Sequence, residues 1–177
     1  FGDIVFSTDL GRLYSMVVLF SGILFLLVML PFTFIEFFYA PWMKAQNEAR
    51  APKKLSDEVR DHVIITKLNP ITDALIDKLI SYKIDYVILE PDLQKALELS
   101  DTGYNVVNLD PTDFHAYENL CIKKAKMVVA SDTDTVNTNV TFTVREFNPD
   151  VKIIATAASS DSVDILQLAG ANHVLQM

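Results

Sequence analysis

The chain has 177 residues, a hydrophobic fraction of 50% and a net charge of −8. From residue 62 onward, nine Lys and Arg stand against sixteen Asp and Glu, a net charge of −7. This acidity argues against a nucleic-acid partner, because phosphate binding needs basic patches. The single cysteine, Cys121, excludes an internal disulfide and is typical of a reducing compartment.

The first predicted element is a membrane-spanning helix. Residues 13–35 form a run of 23 residues without a charged side chain. As a helix this run would be about 35 Å long, enough to cross a bilayer core of about 30 Å with some tilt. A signal peptide is the alternative, but Asp3 and Asp9 precede the run and no small-residue cleavage site follows it.

Positive charge is concentrated after this run, which indicates its orientation. Arg12 is the one basic residue before the run, whereas residues 36–61 carry five. The positive-inside rule therefore places the C-terminal side in the cytoplasm. Tyr14 at one end of the run, and Tyr39 and Trp42 at the other, are typical of interfacial aromatic belts. The five basic residues are Lys44, Arg50, Lys53, Lys54 and Arg60.

Residues 47–61 are polar and charged and are interrupted by Pro52, which predicts a linker. Short apolar runs then recur about every twenty residues and alternate with amphipathic helical stretches such as ITDALIDKLISY. This alternation predicts an α/β, Rossmann-like, doubly wound parallel sheet over residues 62–177. Both faces of such strands are buried, which explains runs such as YVIL and MVVA. The predicted strands are 63–65, 86–89, 106–109, 127–130, 151–155 and 174–175.

The first strand-to-helix turn is HVIITKLNPIT, where dinucleotide-binding folds place Gly-x-Gly-x-x-Gly. Aligned on the strand, the three glycine positions hold Lys67, Asn69 and Thr72. The Lys67 side chain would fill the phosphate site or contact a phosphate itself. Asn69 tolerates left-handed backbone angles, so the turn is expected to survive. We predict Lys67, Leu68 and Asn69 as part of a nucleotide site.

Acidic residues follow the next strands. Glu90 lies after the second strand, 23 residues beyond Lys67, near the spacing at which an acid holds the adenosine ribose. Asp110 follows the third strand, and Ser131 opens the SDTD that follows the fourth. Each acid alone is a common helix cap or turn residue, but together they line the crevice where such folds bind ligands.

Metal and catalytic interpretations are weak. The three histidines are scattered without ligand spacing. Asp132 and Asp134 would suit a calcium site, although two carboxylates are too few alone. The sequence shows no nucleophile–base pair. We therefore predict no catalytic residues and no metal ligands, and a protein that is not an enzyme.

Two groups of motifs resemble one family of membrane proteins. The opening FGD, followed by Thr8, Gly11 and Arg12 before the apolar run, is similar to the outer end of a potassium-channel pore. From residue 62, the stretches HVII, VILEPD, VVNLDPTD, VVASDTD and AGANHVL resemble the regulator-of-K⁺-conductance (RCK) domain, also called the K⁺-transport nucleotide-binding domain. Helix, linker and RCK domain in this order are typical of RCK-containing potassium channels.

The resemblance assigns a role to each segment. Residues 1–12 would be the end of the selectivity filter and the outer turn, with Phe1 and Gly2 as its last residues and Asp3 at the outer mouth. In such filters, carbonyl oxygens replace the hydration shell of K⁺. Residues 13–46 would be the inner pore helix, 47–61 the linker and 62–177 the RCK N-lobe. The rest of the filter would precede Phe1, so we expect a piece of a longer protein.

Two residues of the inner helix are candidates for gating. Gly22 lies mid-helix, where glycine costs about 1 kcal/mol relative to alanine in soluble helices; it would act as a hinge or allow close helix packing. Pro31 removes a helix hydrogen bond and predicts a kink. Glu36, near the cytoplasmic end, would be solvated at the interface or form an acidic ring at the inner mouth.

The resemblance also implies an assembly. Four chains would form a homotetramer in the bilayer of a bacterial or archaeal cell membrane, with RCK–RCK contacts in a cytoplasmic ring. K⁺ would pass through the pore, and NAD⁺, ADP or Ca²⁺ would act on the ring. Two alternatives stay open: a membrane-anchored scaffold or nucleotide-binding protein without channel activity, and an NAD-dependent dehydrogenase, which would need an intact glycine turn.

Overall fold

A computed structural model describes residues 7–177, apart from the side chain of Glu48. The predicted filter residues Phe1, Gly2 and Asp3 lie outside the described residues. The chain divides into two units, Phe1–Gln46 and Asn47–Met177.

The first unit consists of one long apolar helix. Helix α1 spans Asp9–Phe34 and begins where the Thr8 hydroxyl accepts a hydrogen bond from the Gly11 amide. A π-helical segment, Ile35–Tyr39, and helix α2, Ala40–Arg50, continue it. The 39 residues Asp9–Asn47 are long and apolar enough to cross a membrane, with a mean hydropathy of 2.6 over the most apolar window. The predicted long apolar helix is confirmed.

Pro31 lies inside α1, and the helix does not end there. Four residues later the hydrogen bonding changes, since the Ile35 amide donates to the carbonyls of both Pro31 and Phe32. The π-helical segment begins at that point. A proline has no amide hydrogen to donate, and π-bulges are a common local response to a disturbed helix. A bend at this place stays a prediction.

The second unit is a six-stranded parallel sheet with the strand order β3-β2-β1-β4-β5-β6. This confirms the predicted doubly wound, Rossmann-like fold. The strands are β1 Val63–Ile65, β2 Tyr86–Leu89, β3 Val106–Val107, β4 Met127–Ala130, β5 Lys152–Ala157 and β6 His173–Gln176. The helices are α3 Pro70–Ser81, α4 Leu93–Asp101, α5 Ala116–Asn119, α6 Asp134–Phe147 and α7 Ser160–Ala169, and a 3₁₀ turn, Ile122–Lys124, follows α5.

Alternate residues of each strand point to opposite faces of the sheet, and both faces are covered. In β1, Ile64 packs into one apolar cluster with Leu120. Val63 and Ile65 pack into a second cluster with Ile76 of α3. This two-sided burial is the physical cause of the unbroken apolar runs.

The third strand is shorter than predicted. We expected strand 106–109, but β3 ends at Val107. The next amide, that of Asn108, donates to the Pro52 carbonyl at 2.9 Å, and the Leu109 amide donates back to Val107. Asp110 therefore lies in a turn three residues beyond the strand.

The first four residues of the predicted linker, 47–50, belong to α2, and from Ala51 to Asp61 the chain is irregular but not detached. Ala51 and Leu55 are buried, and Leu55 belongs to the same apolar cluster as Leu120. The Leu55 amide donates to the Asn119 carbonyl at 2.9 Å, and the Asp61 amide donates to Lys124 at 2.9 Å. Residues 51–61 therefore lie along the second unit as part of its packed structure.

Gly170 ends α7. Its φ of 110° lies in the left-handed region that favours glycine. A Cβ at this position would lie 2.9 Å from Cγ of Arg145. Arg145 in turn donates from Nε to the Gly170 carbonyl at 2.9 Å. The turn is thus fixed by both backbone conformation and close packing.

Candidate functional site

The candidate site lies where the parallel strands end. We call this the carboxyl edge, and define it by Lys67 after β1, Glu90 after β2, Asp110 beyond β3 and Asp132 after β4. In open parallel sheets, ligands bind outside this edge where the strand order reverses. Here the reversal falls between β1 and β4, which are neighbours in the sheet but are separated in the chain by β2 and β3.

Hydrogen bonds join the ends of β1 and β4 directly. The buried Thr66 hydroxyl accepts from the Ser131 amide at 3.0 Å, and the Thr66 amide donates to Val129 at 3.0 Å. The Ser131 hydroxyl donates to the Lys67 carbonyl at 2.9 Å. Ser131 therefore fastens the first turn to β4, and Thr66, which we did not predict, supplies the matching contact.

The first turn closes the N-terminus of α3 with a capping box. The Asn69 side-chain oxygen accepts from the amides of Ile71 and Thr72, each at 3.0 Å. The Thr72 hydroxyl accepts from the Asn69 amide at 2.7 Å. Such reciprocal bonds satisfy helix amides that would otherwise be unpaired. Pro70 fits beside them, because the first position of a helix needs no amide hydrogen.

The backbone of this turn corrects one expectation. We expected Asn69 to use its tolerance of left-handed angles, but its φ is −149° and its ψ is 172°. The residue is extended because the N-cap position requires that conformation. Its side-chain amide also donates to the Ser131 carbonyl at 3.1 Å. Asn69 thus replaces a glycine by supplying a cap, not by copying the geometry of glycine.

Lys67 does not extend freely into the crevice. Its Nζ lies 2.8 Å from Oδ1 of Asp132, across the boundary between β1 and β4. The Lys67 side chain is 51% exposed and that of Asp132 is 20% exposed, so water screens the pair only partly. A phosphate that binds Lys67 would therefore compete with the Asp132 carboxylate.

Asn137 of α6 holds Asp132 in place. Its side-chain oxygen accepts from the Asp132 amide at 2.8 Å. Its amide nitrogen donates to the carbonyls of Asp132 at 2.9 Å and Thr156 at 2.8 Å. Asn137 is fully buried, and sequence reasoning missed it. A polar residue at a core position of an amphipathic helix was the available signal.

Glu90 and Asp110 lie in short turns at the carboxyl edge. Glu90 Oε1 accepts from the Asp92 amide at 3.0 Å. Asp110 Oδ1 accepts from the Thr112 amide at 2.8 Å and from the Thr112 hydroxyl at 2.7 Å. Within residues 7–177, neither carboxylate is hydrogen-bonded to Lys67, whose partner is Asp132. Leu68 is half-buried and packs against the apolar cluster of β1 and α3.

Asn108 connects two of these segments. Its side-chain amide nitrogen donates to the carbonyls of Glu90 at 2.9 Å and Pro91 at 3.0 Å. Its backbone amide donates to Pro52 at 2.9 Å. Sequence reasoning missed this residue, because nothing in the pattern pairs residue 108 with residue 52.

The edge fits one part of an adenine nucleotide better than the other. The hydroxyls of a ribose need hydrogen-bond acceptors, and Glu90 after β2 and Asp110 beyond β3 supply carboxylates on the same side of β1 in the sheet. A pyrophosphate in a Rossmann-type site needs the amides of the helix N-terminus. At the start of α3, the amides of Ile71 and Thr72 already donate to the Asn69 side chain, and Pro70 has no amide hydrogen to donate. The classical phosphate cradle is therefore closed in this conformation.

The calcium interpretation finds no support at Asp132 and Asp134. Asp132 is paired with Lys67, and Asp134 accepts from the amides of Ala158 at 2.8 Å and Ser159 at 3.3 Å. A hydrogen bond from Ser162, followed by that from Ala158, lowers the pKa of Asp134 below its usual value. Within residues 7–177, no group of three or more His, Cys, Asp or Glu side chains is placed to hold a metal ion.

A profile of the TrkA-N domain family matches residues 63–177, which is more than half of the chain. The chain belongs to the TrkA-N domain family. This match covers the whole sheet from β1 to β6, and it confirms the predicted RCK-type domain.

Relatives and solved structures extend the similarity to the N-terminal helix. A probable potassium channel protein of Methanocaldococcus jannaschii is 27% identical, over 99% of this chain and 52% of its own length. The GsuK channel bound to NAD is 36% identical over 99% of this chain and 32% of its own chain, with a TM-score of 0.69. GsuK bound to ADP gives the same identity and TM-score over 47% of its chain. The chain spans about half the length of the curated relatives it matches.

Some of the predicted site residues are thus brought together. Lys67, Asn69 and Ser131 form one hydrogen-bonded group with Thr66 and Asp132. Glu90 and Asp110 lie further along the TrkA-N carboxyl edge, and their binding roles stay predictions. The gating roles of Gly22 and Pro31, in the first unit, also stay predictions. No heavy atom lies within 4 Å of a Cβ built on Gly22, so nothing in the described chain distinguishes hinge from packing.

Proposed function

We propose that this chain is the pore-lining and regulatory portion of a tetrameric K⁺-selective channel gated by cytoplasmic ligands. One observation carries the proposal: GsuK and the M. jannaschii relative align with 99% of the chain, helix and TrkA-N domain together and in the same order. A soluble nucleotide-binding protein would share only the domain. The activity of the whole protein belongs to this proposal.

The first unit supports a position in the membrane. Every described residue of α1 is solvent-accessible in the isolated chain, and the helix is apolar around its whole circumference. Such a helix needs lipid or other helices around it. In four copies arranged around a pore, each helix would contact lipid on one side and neighbouring helices on the other. The basic residues that follow the helix favour a cytoplasmic TrkA-N domain by the positive-inside rule.

The second unit supports a ring of TrkA-N domains. Three large apolar side chains on α6 and α7 are exposed: Phe142 at 57%, Ile165 at 52% and Leu168 at 86%. Helices α6 and α7 pack against each other, and Phe142 and Ile165 line the same surface groove, which we call the α6–α7 face. Exposed apolar patches mark interaction surfaces. We assign this face to a second copy of the domain.

An adenine nucleotide is the ligand that the carboxyl edge suits best. Glu90 and Asp110 would accept from the ribose hydroxyls, and Lys67 would meet a phosphate after leaving Asp132. The ligand must bind one ring geometry better than the other, because equal affinity for both states shifts nothing. NAD⁺ and ADP are both candidates, and Ca²⁺ would need ligands outside the described groups. The proposal includes no enzymatic step.

The capping box favours one alternative function. With the α3 amides taken by Asn69, this domain would assemble the ring without binding a nucleotide. The two functions differ in one measurable property, which is the affinity of the carboxyl edge for ADP.

Competition binding separates sensor from scaffold. A fluorescent adenine nucleotide would be bound to the purified cytoplasmic ring and displaced with ADP. We expect Glu90→Ala to abolish displacement, because the carboxylate at the end of β2 is removed. Glu98→Ala, on the exposed surface of α4, is the matched control and should bind as wild type. No displacement from wild type at millimolar ADP would support the scaffold and contradict the sensor.

A further inference from the structure

Asn108, just after β3, contacts both the turn 90–92, which we call the Glu90 loop, and the segment that leaves α2. Its side chain donates to the carbonyls of Glu90 and Pro91, at 2.9 and 3.0 Å. Because both partners are carbonyl oxygens, only the amide nitrogen of Asn108 satisfies them, and the orientation of the side chain is determined. The backbone amide of the same residue donates to Pro52 at 2.9 Å.

The segment that receives this contact is held firmly on the second unit. Ala51 is 6% exposed and Leu55 is 8% exposed. The Leu55 amide is bonded to the carbonyl of Asn119 at 2.9 Å. A displacement of Pro52 would therefore disturb the packing of the buried residues on either side of it, Ala51 and Leu55. The segment does not have the freedom of a flexible linker.

The chain just before Pro52 also contacts the C-terminal end of α4. Arg50, the last residue of α2, lies 3.6 Å from Asp101, the last residue of α4. Both side chains are more than 60% exposed, so the pair contributes little stability. The pair nonetheless shows that residues 50–52 contact the stretch from Glu90 to Asp101 near both of its ends. Arg50 lies beside Asp101, and Pro52 is connected to Glu90 through Asn108.

We propose that Asn108 is a positioning residue that couples ligand binding at the Glu90 loop to the segment leaving α2. The inference deepens the proposed function and rests on it. Glu90 Oε1 now accepts from the Asp92 amide at 3.0 Å. When the hydroxyls of a bound ribose donate to the Glu90 carboxylate, they compete with the hydrogen bond from the Asp92 amide and shift the turn 90–92. Asn108 holds two carbonyls of that turn, so the shift reaches Pro52 and, along the chain, α2.

The test uses the full-length protein that contains this chain, in liposomes, with ADP as the probe. Three measurements are made on wild type and Asn108→Ala: ADP affinity, K⁺ flux with and without ADP, and hydrogen exchange of the amides in 51–55. Asn105→Ala is the matched control, since Asn105 is an exposed asparagine just before the same strand, β3. Asn108→Ala keeps the backbone bond to Pro52 and removes the side-chain bonds to the Glu90 loop.

We expect Asn108→Ala to bind ADP within about threefold of wild type, as for other partly exposed substitutions. The ratio of K⁺ flux with ADP to that without it should fall toward one, and ADP should no longer change exchange in 51–55. Asn105→Ala should behave as wild type in all three. A merely structural role for Asn108 would raise exchange in 51–55 equally with and without ADP.

The outcomes separate the inference from the proposed function. Wild-type channels that bind no ADP, or whose flux ignores it, overturn the nucleotide-gating proposal and the inference together. A wild-type response that Asn108→Ala retains in full overturns the inference alone. Loss of ADP affinity in Asn108→Ala in parallel with loss of response makes Asn108 part of the binding site and also overturns the coupling role.

Discussion

Asn137 is a buried amide beneath the carboxyl edge, where it satisfies both backbone groups of Asp132 and the carbonyl of Thr156. Each bond fixes a residue that touches the site or its neighbouring strand. Because an amide group donates and accepts at once, no apolar residue of similar size replaces it. Position 137 therefore controls where the Asp132 carboxylate meets Lys67.

We expect Asn137→Ala to lower the free energy of unfolding by about 2–4 kcal/mol. The change leaves buried backbone groups unpaired and opens a small cavity. Chemical denaturation of the isolated second unit, Asn47–Met177, measures the effect. Asn139→Ala, an exposed change two residues away on α6, is the control and should cost under about 0.5 kcal/mol. Equal stability of the two variants would contradict a structural role for Asn137.

His62 gives the domain a pH dependence. The side chain is fully buried, its Nε2 lies 2.9 Å from the Leu120 carbonyl oxygen, and its Nδ1 has no hydrogen-bond partner in the part of the chain that the structure describes. Burial lowers the pKa of His62 below 6.5, although the Leu120 carbonyl and the charges of Asp85 and Asp61 oppose this shift. The unfolded chain therefore binds the proton more tightly than the folded one. The stability that His62 contributes is complete above pH 6.5 and is lost as the pH falls below it.

We predict that the free energy of unfolding of the wild type falls as the pH is lowered from 7 to 5.5. His62 contributes at most about 1.4 kcal/mol per pH unit to this fall. His62→Gln should flatten the curve, because glutamine has no proton to gain. His173→Gln is the control, since His173 is exposed in β6. A wild-type curve that His62→Gln leaves unchanged would show that other groups cause the pH dependence.

At the scale of elements, α3 carries the departure from a classical nucleotide site. Its N-terminal amides are bonded to Asn69, which also donates to Ser131. The cap stabilises the helix by about 1 kcal/mol and at the same time withholds the donors that a phosphate needs. The Asn69 side chain therefore raises the stability of α3 and lowers the affinity of its N-terminus for a phosphate.

Asn69→Gly is expected to strengthen ADP binding by roughly tenfold, because it frees two amides for charge-assisted hydrogen bonds. Glycine costs only a few tenths of a kcal/mol as a cap, and the lost bond to Ser131 costs about 1 kcal/mol. Calorimetric titration with ADP measures the change. Ser159→Gly removes the cap of α7, which accepts from the Asp161 amide at 3.2 Å, and should leave affinity unchanged. A weaker affinity of Asn69→Gly would show that the cap organises the site.

The sequence predicted the elements better than their contacts. Strands such as 86–89 and 127–130 were found with the correct bounds, because two-sided burial leaves an unbroken apolar run. The capping box had a usable signal as well, since asparagine followed by proline is typical of a helix start. The bond between Lys67 and Asp132 spans 65 residues and depends on which strands are neighbours. A local pattern does not contain that information.

The π-helical segment after Pro31 is a second feature of element scale that the pattern did not specify. Proline indicated a disturbed helix, but the structure places the change at Ile35–Tyr39, one turn later. Glu36 belongs to this segment. Its place in a pore or at the lipid interface depends on neighbouring helices and stays a prediction.

At the scale of the whole molecule, the chain joins two units of different chemistry. An apolar helix with the length of a membrane span is followed directly by an acidic TrkA-N domain. Residues 51–61 lie packed along that domain, so a change at its carboxyl edge has a short route to the end of α2. This connection is the physical basis for ligand gating in the proposed channel.

The most direct test is K⁺ and Na⁺ flux through liposomes that contain the full-length protein. Flux would be measured first without ligand and then with NAD⁺, ADP or Ca²⁺ on the cytoplasmic side. We expect flux that is selective for K⁺ and that changes when at least one of these ligands is added. Absence of K⁺ flux under every condition would contradict the central claim that this chain lines a channel.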